Sequence, residues 1–386
     1  MSARLLSTQT WNGVYTTEFS LQEIRQRCQS LIRILLDRNL HCLVAYDTRF
    51  MAELFARDIY QTMVAQGVGA SLSQSPAPLP AIYYALAQGK ADCALVVSAR
   101  NQPYWSNGLV LIGNDLPPIL RDPDITSGTG APFPPTVEPT TESGSKIIDL
   151  RSPYIDMLRS PFDLELIRRA SLTVFADSMN GSSAGYLPAV IAGGGQTRAI
   201  EINKETDPLF SRTTPMPGTS GLTRLRKLVR ESDSHVGLAF SADGTALGVV
   251  DKNGNSILPI EVALLLAAYL NRQYRQRGMV LLAPPAQHSD SGELAAALHT
   301  WANNLGVQVE LSNQIDTRLA EVLANQRPHL LLGCTDAGQI VIGQHGTYAD
   351  ALFAGVMLIE LIARNAGNLL SLLEELRQVL QIQKSE

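Results

Sequence analysis

The stretch from Cys93 to Gly108 restricts the fold most. Cys93 to Val97 is a short apolar run rich in β-branched residues, which predicts a buried strand. It passes directly into a polar loop, Ser98 to Gln102, closed by Pro103 and then by Asn107-Gly108. Open α/β sheets place their chemistry in loops at the carboxyl ends of buried strands. The rest of the chain repeats this logic. Cys42 to Arg49 reads as a strand and its exit loop, Gly278 to Ala283 and Val307 to Leu311 as further strands, with helical periodicity between them.

Helix boundaries are marked locally. Ser20-Leu-Gln-Glu23 has the form of a capping box, with the serine as N-cap and the glutamate three residues on, and predicts a helix to about Arg38. A second helix is expected over 50–65, ended by Gln66-Gly-Val-Gly, and a third over 81–88. Residues 112–144, rich in Pro, Gly, Thr and Ser, read as a long surface loop. Further helices are expected from Arg151, over 222–231, 259–275, 293–305, 351–363 and 368–381.

At 386 residues the chain is too long for one ordinary core and suits two to four domains. A net charge of −5 with no Lys/Arg run argues against a nucleic-acid surface. The longest apolar run, Val262 to Leu270, is too short to span a bilayer. The N-terminus lacks the apolar core of a signal peptide. Cys28, Cys42, Cys93 and Cys334 are scattered and mostly in apolar surroundings, so free buried thiols and a cytoplasmic location are expected.

Several motifs resemble those of the phosphohexomutases, the phosphoglucomutase/phosphomannomutase family. That family carries Thr-Ala-Ser-His-Asn-Pro followed by Asn-Gly, its serine being the phosphorylated catalytic residue. This chain has Ser98-Ala99-Arg100-Asn101-Gln102-Pro103 before Asn107-Gly108, which places Arg100 at the phosphoserine position. Tyr46-Asp47-Thr48-Arg49 is similar to the family's Gly-Tyr-Asp-Thr-Arg. Asp177, Met179, Gly181 and Gly185-Tyr186-Leu187 match its second-domain opening, with Asn180 in place of a histidine. Gly237-Leu-Ala-Phe240 matches the segment before its metal loop, where three aspartates become Ser241, Asp243 and Thr245, and an arginine becomes Ala246. Thr317 stands for a substrate-binding lysine. Cys334, Thr335 and Asp336 fall in the sugar-binding loop, whose two glutamates are replaced by Cys334 and Thr335. Gln344-His345-Gly346 resembles the family's Arg-His-Gly, with His345 expected to be structural.

The resemblance implies an α/β protein of three consecutive domains with mixed sheets, over 1–155, 156–256 and 257–386. It implies no fourth domain, because the Arg-x-Ser-Gly-Thr phosphate loop has no counterpart here. It implies no retained magnesium site, since one carboxylate at Asp243 is a poor set of hard oxygen ligands. A plain hairpin with Asp243-Gly244 as its turn fits residues 241–246 equally well. Two classes of function stay open. One is a catalytically inactive member that binds a protein partner or assembles a complex. The other is a sugar-phosphate or other anion binder, or a residual phosphohexomutase of carbohydrate metabolism. Arg49 and Arg100 together would supply a bidentate anion grip for the second class, unless Arg100 fills the site with an internal salt bridge. The terminal helix, with Leu369, Leu370, Leu372, Leu373, Leu376, Val379 and Leu380, carries more apolar surface than one stripe needs and is the expected docking face for a partner or a second copy.

Overall fold

In the computed structural model the described residues are 6–120, 146–211, 213–285, 291–325 and 329–380. The polypeptide packs as two compact units. The first takes residues 1–154 together with Asp207–Phe210, and the second takes the remainder.

The first unit contains β1 (Ser7–Val14), α1 (Leu21–Asp37), β2 (Cys42–Tyr46), α2 (Ala52–Ala65), β3 (Ala70–Ser73), α3 (Leu79–Ala87), β4 (Cys93–Val97), β5 (Ser106–Gly113) and β6 (Ile147–Ile148). Its sheet runs β1-β5-β4-β2-β3-β6. β2 pairs in parallel with β3 and β4, whereas β5 runs antiparallel to both β4 and β1. The unbroken apolar runs have a direct cause, because both faces of this sheet are covered. Cys42, Val44 and Tyr46 join Cys93, Leu95 and Val97 in one core with α1 and α2. Leu43 and Ala45 join Ala94 and Val96 in the other, against Leu79, Ile82 and Ala85 of α3. Ser20 caps α1 as expected, its Oγ accepting from the Glu23 amide at 3.3 Å. Of the expected surface loop, residues 121–145 lie outside the described residues.

α4 (Arg151–Arg159) carries the chain from the first unit into the second. There follow α5 (Leu164–Arg169), β7 (Thr173–Asp177), α6 (Tyr186–Ile191), β8 (Arg198–Ile202), α7 (Thr223–Glu231), β9 (Val236–Phe240), β10 (Leu247–Asp251) and β11 (Ser256–Ile257), forming a sheet of order β11-β10-β9-β7-β8. After α8 (Pro259–Tyr274) come β12 (Met279–Leu282), α9 (Ser291–Leu305), β13 (Gln308–Leu311), α10 (Ile315–Asn325), β14 (Leu330–Cys334), β15 (Ile340–Ile342), α11 (Ala351–Arg364) and α12 (Leu369–Leu380). The third sheet is β13-β12-β14-β15. Both are mixed, with parallel pairing at β7 and β12 and antiparallel pairing at β9-β10 and β14-β15.

The second and third sheets belong to one compact unit. α11 comes from the third segment and packs on β9 and β10 of the second, and also on α5 and α6. It is buried almost all round, from Ala351 to Ala363, as a helix between layers must be.

The terminal helix is packed within its own domain. α12 lies against both α8 and α9, so its wide apolar stripe has two neighbours within its own domain. Leu369, Leu373, Leu376 and Leu380 are buried, Leu370 and Leu372 are half-buried, and of the apolar side chains only Val379 is exposed. Arg377 donates to both carboxylate oxygens of Glu261 on α8, at 2.6 and 3.2 Å. Much of the leucine of α12 thus packs on two helices, with Leu370, Leu372 and Val379 on its more open side.

Candidate functional site

In the first unit, β4 ends at Val97 and the chain turns through residues 98–105 into β5. The turn is held from inside. Ser98 Oγ accepts from the Arg100 amide at 2.9 Å, and the Ser98 amide donates to Gly108 O at 2.9 Å. Arg49, with its side chain 1% exposed, reaches under the loop. Its Nη1 donates to Pro103 O and Ser106 O, both at 3.0 Å, and its Nη2 to Arg100 O at 2.8 Å and Gln102 O at 2.5 Å. Its Nε lies 3.3 Å from Asp47 Oδ2, and the Phe210 ring covers the guanidinium at 5.4 Å. Both terminal nitrogens of this guanidinium are thus taken up by main-chain carbonyls rather than turned toward an anion grip with Arg100. Arg49 is the internal brace of the loop that carries Arg100. Arg100 itself sits half-buried with φ +54, a left-handed conformation uncommon for a residue with a side chain.

Tyr15 ties the neighbouring elements together. It accepts from Asn107 Nδ2 at 2.9 Å and donates to Phe50 O at 2.6 Å. Burial pushes its phenol up to about 12, with the Asn107 bond acting in the opposite direction.

In the second unit, Ser241–Ala246 joins β9 to β10 as a turn, with Phe240 and Leu247 as the last cross-strand pair. Ser241, Asp243 and Thr245 are all buried here. They bond to one another. Asp243 Oδ1 accepts from Ser241 Oγ at 2.7 Å, Thr245 Oγ1 at 2.7 Å and the Thr245 amide at 3.0 Å. Ser241 Oγ in turn accepts from the Thr245 and Ala246 amides at 3.1 and 2.9 Å. Two hydroxyls therefore point their protons at the one carboxylate of the loop.

The loop after β14 docks on this turn. The Leu247 amide donates to Gly338 O at 2.9 Å, Ala246 and Gln339 form an antiparallel bridge, and Gln339 Nε2 reaches Thr245 Oγ1 at 3.2 Å. Gly338 has φ +80, and a Cβ there would meet Leu247 O at 2.5 Å, so only glycine permits the approach. Thr335 is buried and closes its own turn, accepting from the Gln339 amide at 3.1 Å. Burial, and next the charge of Asp336, push the Cys334 thiol up to about 12, so it is not a thiolate. Asp336 is exposed and lines a polar cavity of about 370 Å³ with Pro284, Ser312, Asn313, Gln314 and Thr317.

His345 is packed and hydrogen-bonded at the start of α11. Its Nε2 lies 2.7 Å from Asp350 Oδ2, and its ring stacks on Phe353 at 3.8 Å. Asp350 caps α11 by accepting from the Phe353 amide at 2.9 Å. Asp177 closes the turn after β7, accepting from the Met179 amide and Asn203 Nδ2, each at 2.9 Å. Burial raises its pKa above the ordinary carboxylate value. Sequence reasoning missed Tyr15, Asn203 and Gln339, each of which acts through a partner remote in sequence. Asp47 beside Arg49 offered a signal for the internal pairing, and the carbonyl contacts offered none.

The pattern has relatives. Residues 3–125 match the family model described as phosphoglucomutase/phosphomannomutase, alpha/beta/alpha domain I, and residues 152–254 match the model for alpha/beta/alpha domain II. The phosphoglucosamine mutase of Serratia proteamaculans (strain 568) is 25% identical over 350 residues, covering 88% of this chain and 74% of that one. The phosphoglucosamine mutase of Pectobacterium carotovorum subsp. carotovorum (strain PC1) is 25% identical over 333 residues, covering 84% and 70%. Among solved structures, a chain from Thermus thermophilus assigned as a phosphomannomutase superposes with a TM-score of 0.79 at 23% identity, covering 98% of this chain and 84% of that one. A phosphoglucomutase/phosphomannomutase family protein from Burkholderia thailandensis gives 0.71 at 17%, covering 92% and 76%. The structural likenesses speak for the fold alone.

Proposed function

Because this chain belongs to the phosphoglucomutase/phosphomannomutase family, and yet has Arg100 where the resemblance places the phosphoserine, we propose that it is a catalytically inactive member that works by association with a protein. An arginine side chain stays protonated and offers donors only, so it cannot accept and pass on a phosphoryl group. Phosphoryl transfer depends on a positioned nucleophile and on neutralising the charge of the transferred group.

The observation that carries this reading is the closed turn at Ser241, Asp243 and Thr245. The family uses a magnesium ion there, and these residues do not fit one. Magnesium asks for near-octahedral oxygen ligation with one or two carboxylates. The single carboxylate at Asp243 already accepts three hydrogen bonds on Oδ1, two of them from the hydroxyls that replace the other aspartates.

A second reading has one observation in its favour. The cavity lined by Ser312, Asn313, Thr317 and Asp336 is polar and large enough for a small molecule, which suits a ligand-binding or residual mutase role. The test between them is turnover. The purified chain, with Mg²⁺ and a hexose bisphosphate primer, is offered glucosamine 6-phosphate, glucose 1-phosphate and mannose 1-phosphate. The proposal expects no conversion above background. Turnover approaching about 1 s⁻¹, abolished by Asp336→Ala or Thr317→Ala, would replace it with the second reading.

A further inference from the structure

The second unit holds another pocket, of about 280 Å³, between α8, α11 and the connection from α4 to α5. It shares no lining residue with the cavity at Asp336. Its floor is apolar, with Phe162, Leu270, Ile342, Phe353 and Met357 all buried. Ser160 and Gln344 stand exposed at its rim. A buried apolar floor with a few polar groups around it is the usual make-up of a small-molecule site.

The walls are aromatic and soft. Phe162 and Phe353 meet at 5.0 Å with their rings tilted, His345 stacks on Phe353 at 3.8 Å, and Tyr274 closes one side. Met157 and Met357 add thioethers, which adapt to the edges of rings. Such walls favour a flat, unsaturated ring system. A dry cavity of about 150 Å³ holds benzene, so one of about 280 Å³ holds roughly two fused rings.

Charge narrows the ligand further. No Lys, Arg, Asp or Glu is among the described residues of the lining. The two carboxylates behind the wall are already compensated. Glu360 accepts from Tyr274 Oη at 2.7 Å and from the Asp163 amide at 2.9 Å, and it lies 3.3 Å from Arg364 Nη2. Asp350 holds His345 Nε2 at 2.7 Å and the Phe353 amide at 2.9 Å. A charged ligand would give up its hydration with no opposite charge waiting for it, and an uncharged one would not. One polar group on the wall is unmet. Gln276 Oε1 is shielded from solvent and has no hydrogen-bond partner among the described residues. An acceptor left in this way is destabilising, and an O–H or N–H on the edge of a ligand would satisfy it.

We propose that this pocket binds an uncharged, planar two-ring molecule with one hydrogen-bond donor, held among Phe162, Phe353 and Tyr274 with its donor at Gln276. A sugar phosphate is excluded, since its recognition calls for cations that the pocket lacks. The proposal is independent of whether the chain turns over hexose phosphates.

Isothermal titration of the full chain with 2-naphthol tests it. Saturable binding of one equivalent is expected, with a Kd of about 100 μM or tighter. Naphthalene, which lacks the donor, should bind at least fivefold more weakly, and 2-naphthoate, which carries a charge instead, at least tenfold. Gln276→Met keeps the length of the side chain but removes the acceptor, and should bring 2-naphthol down to the level of naphthalene. Ser160→Trp, at the exposed rim, covers the mouth and should weaken binding at least tenfold with the thermal midpoint preserved. If that variant does not fold, Gln344→Trp at the same rim carries the test. Glucose 1-phosphate should not compete. Absence of saturation below about 1 mM, binding indifferent to the rim variants, equal binding of either analogue, or competition by glucose 1-phosphate would overturn the proposal.

Discussion

Replacing Arg49 by methionine or lysine separates a brace from a ligand-binding arginine. Methionine removes the partner of buried Asp47, which by itself costs about 3–5 kcal/mol at a buried pair. It also removes donors from four carbonyls, at about 1 kcal/mol each while the loop stays closed. The loop would open and let water replace some of these bonds, so the losses do not add, and we expect about 4 kcal/mol. Lysine keeps the charge, but a single ammonium cannot reach the carbonyls of Arg100, Gln102, Pro103 and Ser106 together, so about 2 kcal/mol is expected. At about 2–4 °C per kcal/mol for a unit of this size, the two variants should melt roughly 12 °C and 6 °C below the native chain. Fluorescence serves as the probe, because Trp11 and Trp105 both lie in this unit. Trypsin gives a second measurement, since cleavage after Arg100 should be slow in the native chain and fast in both variants. Melting points within about 1 °C of native, together with loss of phosphate binding, would refute the brace and restore Arg49 as an anion ligand.

Rebuilding the acidic turn with Ser241→Asp and Thr245→Asp should lower stability in EDTA, because three carboxylates then share one buried site, and should restore it with millimolar Mg²⁺. The native chain should melt at the same temperature with and without Mg²⁺. Asp177 sets a pH dependence. Its folded pKa is raised by burial, so the folded state binds more protons than the unfolded one between the ordinary value of 3.8 and the raised value, and stability falls as pH rises through that window. Asp177→Asn can keep the bonds from Met179 and Asn203 through its carbonyl oxygen, and should flatten the fall when melting is followed from pH 4 to 7. Leu373→Glu, at a fully buried position, should unfold or melt the second unit by circular dichroism, whereas Val379→Glu should change little.

Much of the fold was legible because its signals are local. Ser20 caps its helix through a bond three residues away, and the alternating sides of Cys42–Tyr46 and Cys93–Val97 feed two cores, as a doubly covered sheet requires. Reading failed where meaning depended on distant partners. The leucines of α12 looked surplus because the sequence does not say that α8 and α9 both flank that helix, nor that Arg377 meets Glu261, 116 positions earlier. Arg49 looked available because four backbone carbonyls leave no trace in side-chain identity. The substitutions at Ser241 and Thr245 were visible, but that their hydroxyls would turn toward Asp243 was a matter of geometry.

The placement of α11 on the second sheet has a consequence in time. During synthesis β9 and β10 are complete at Asp251, while the helix that covers them is not complete until Arg364. Over that interval the nascent sheet has an uncovered apolar face and must wait, shielded or loosely collapsed, for its last layer. A chain terminated after residue 257 should emerge insoluble, whereas one terminated after the first unit has no such debt to a later helix.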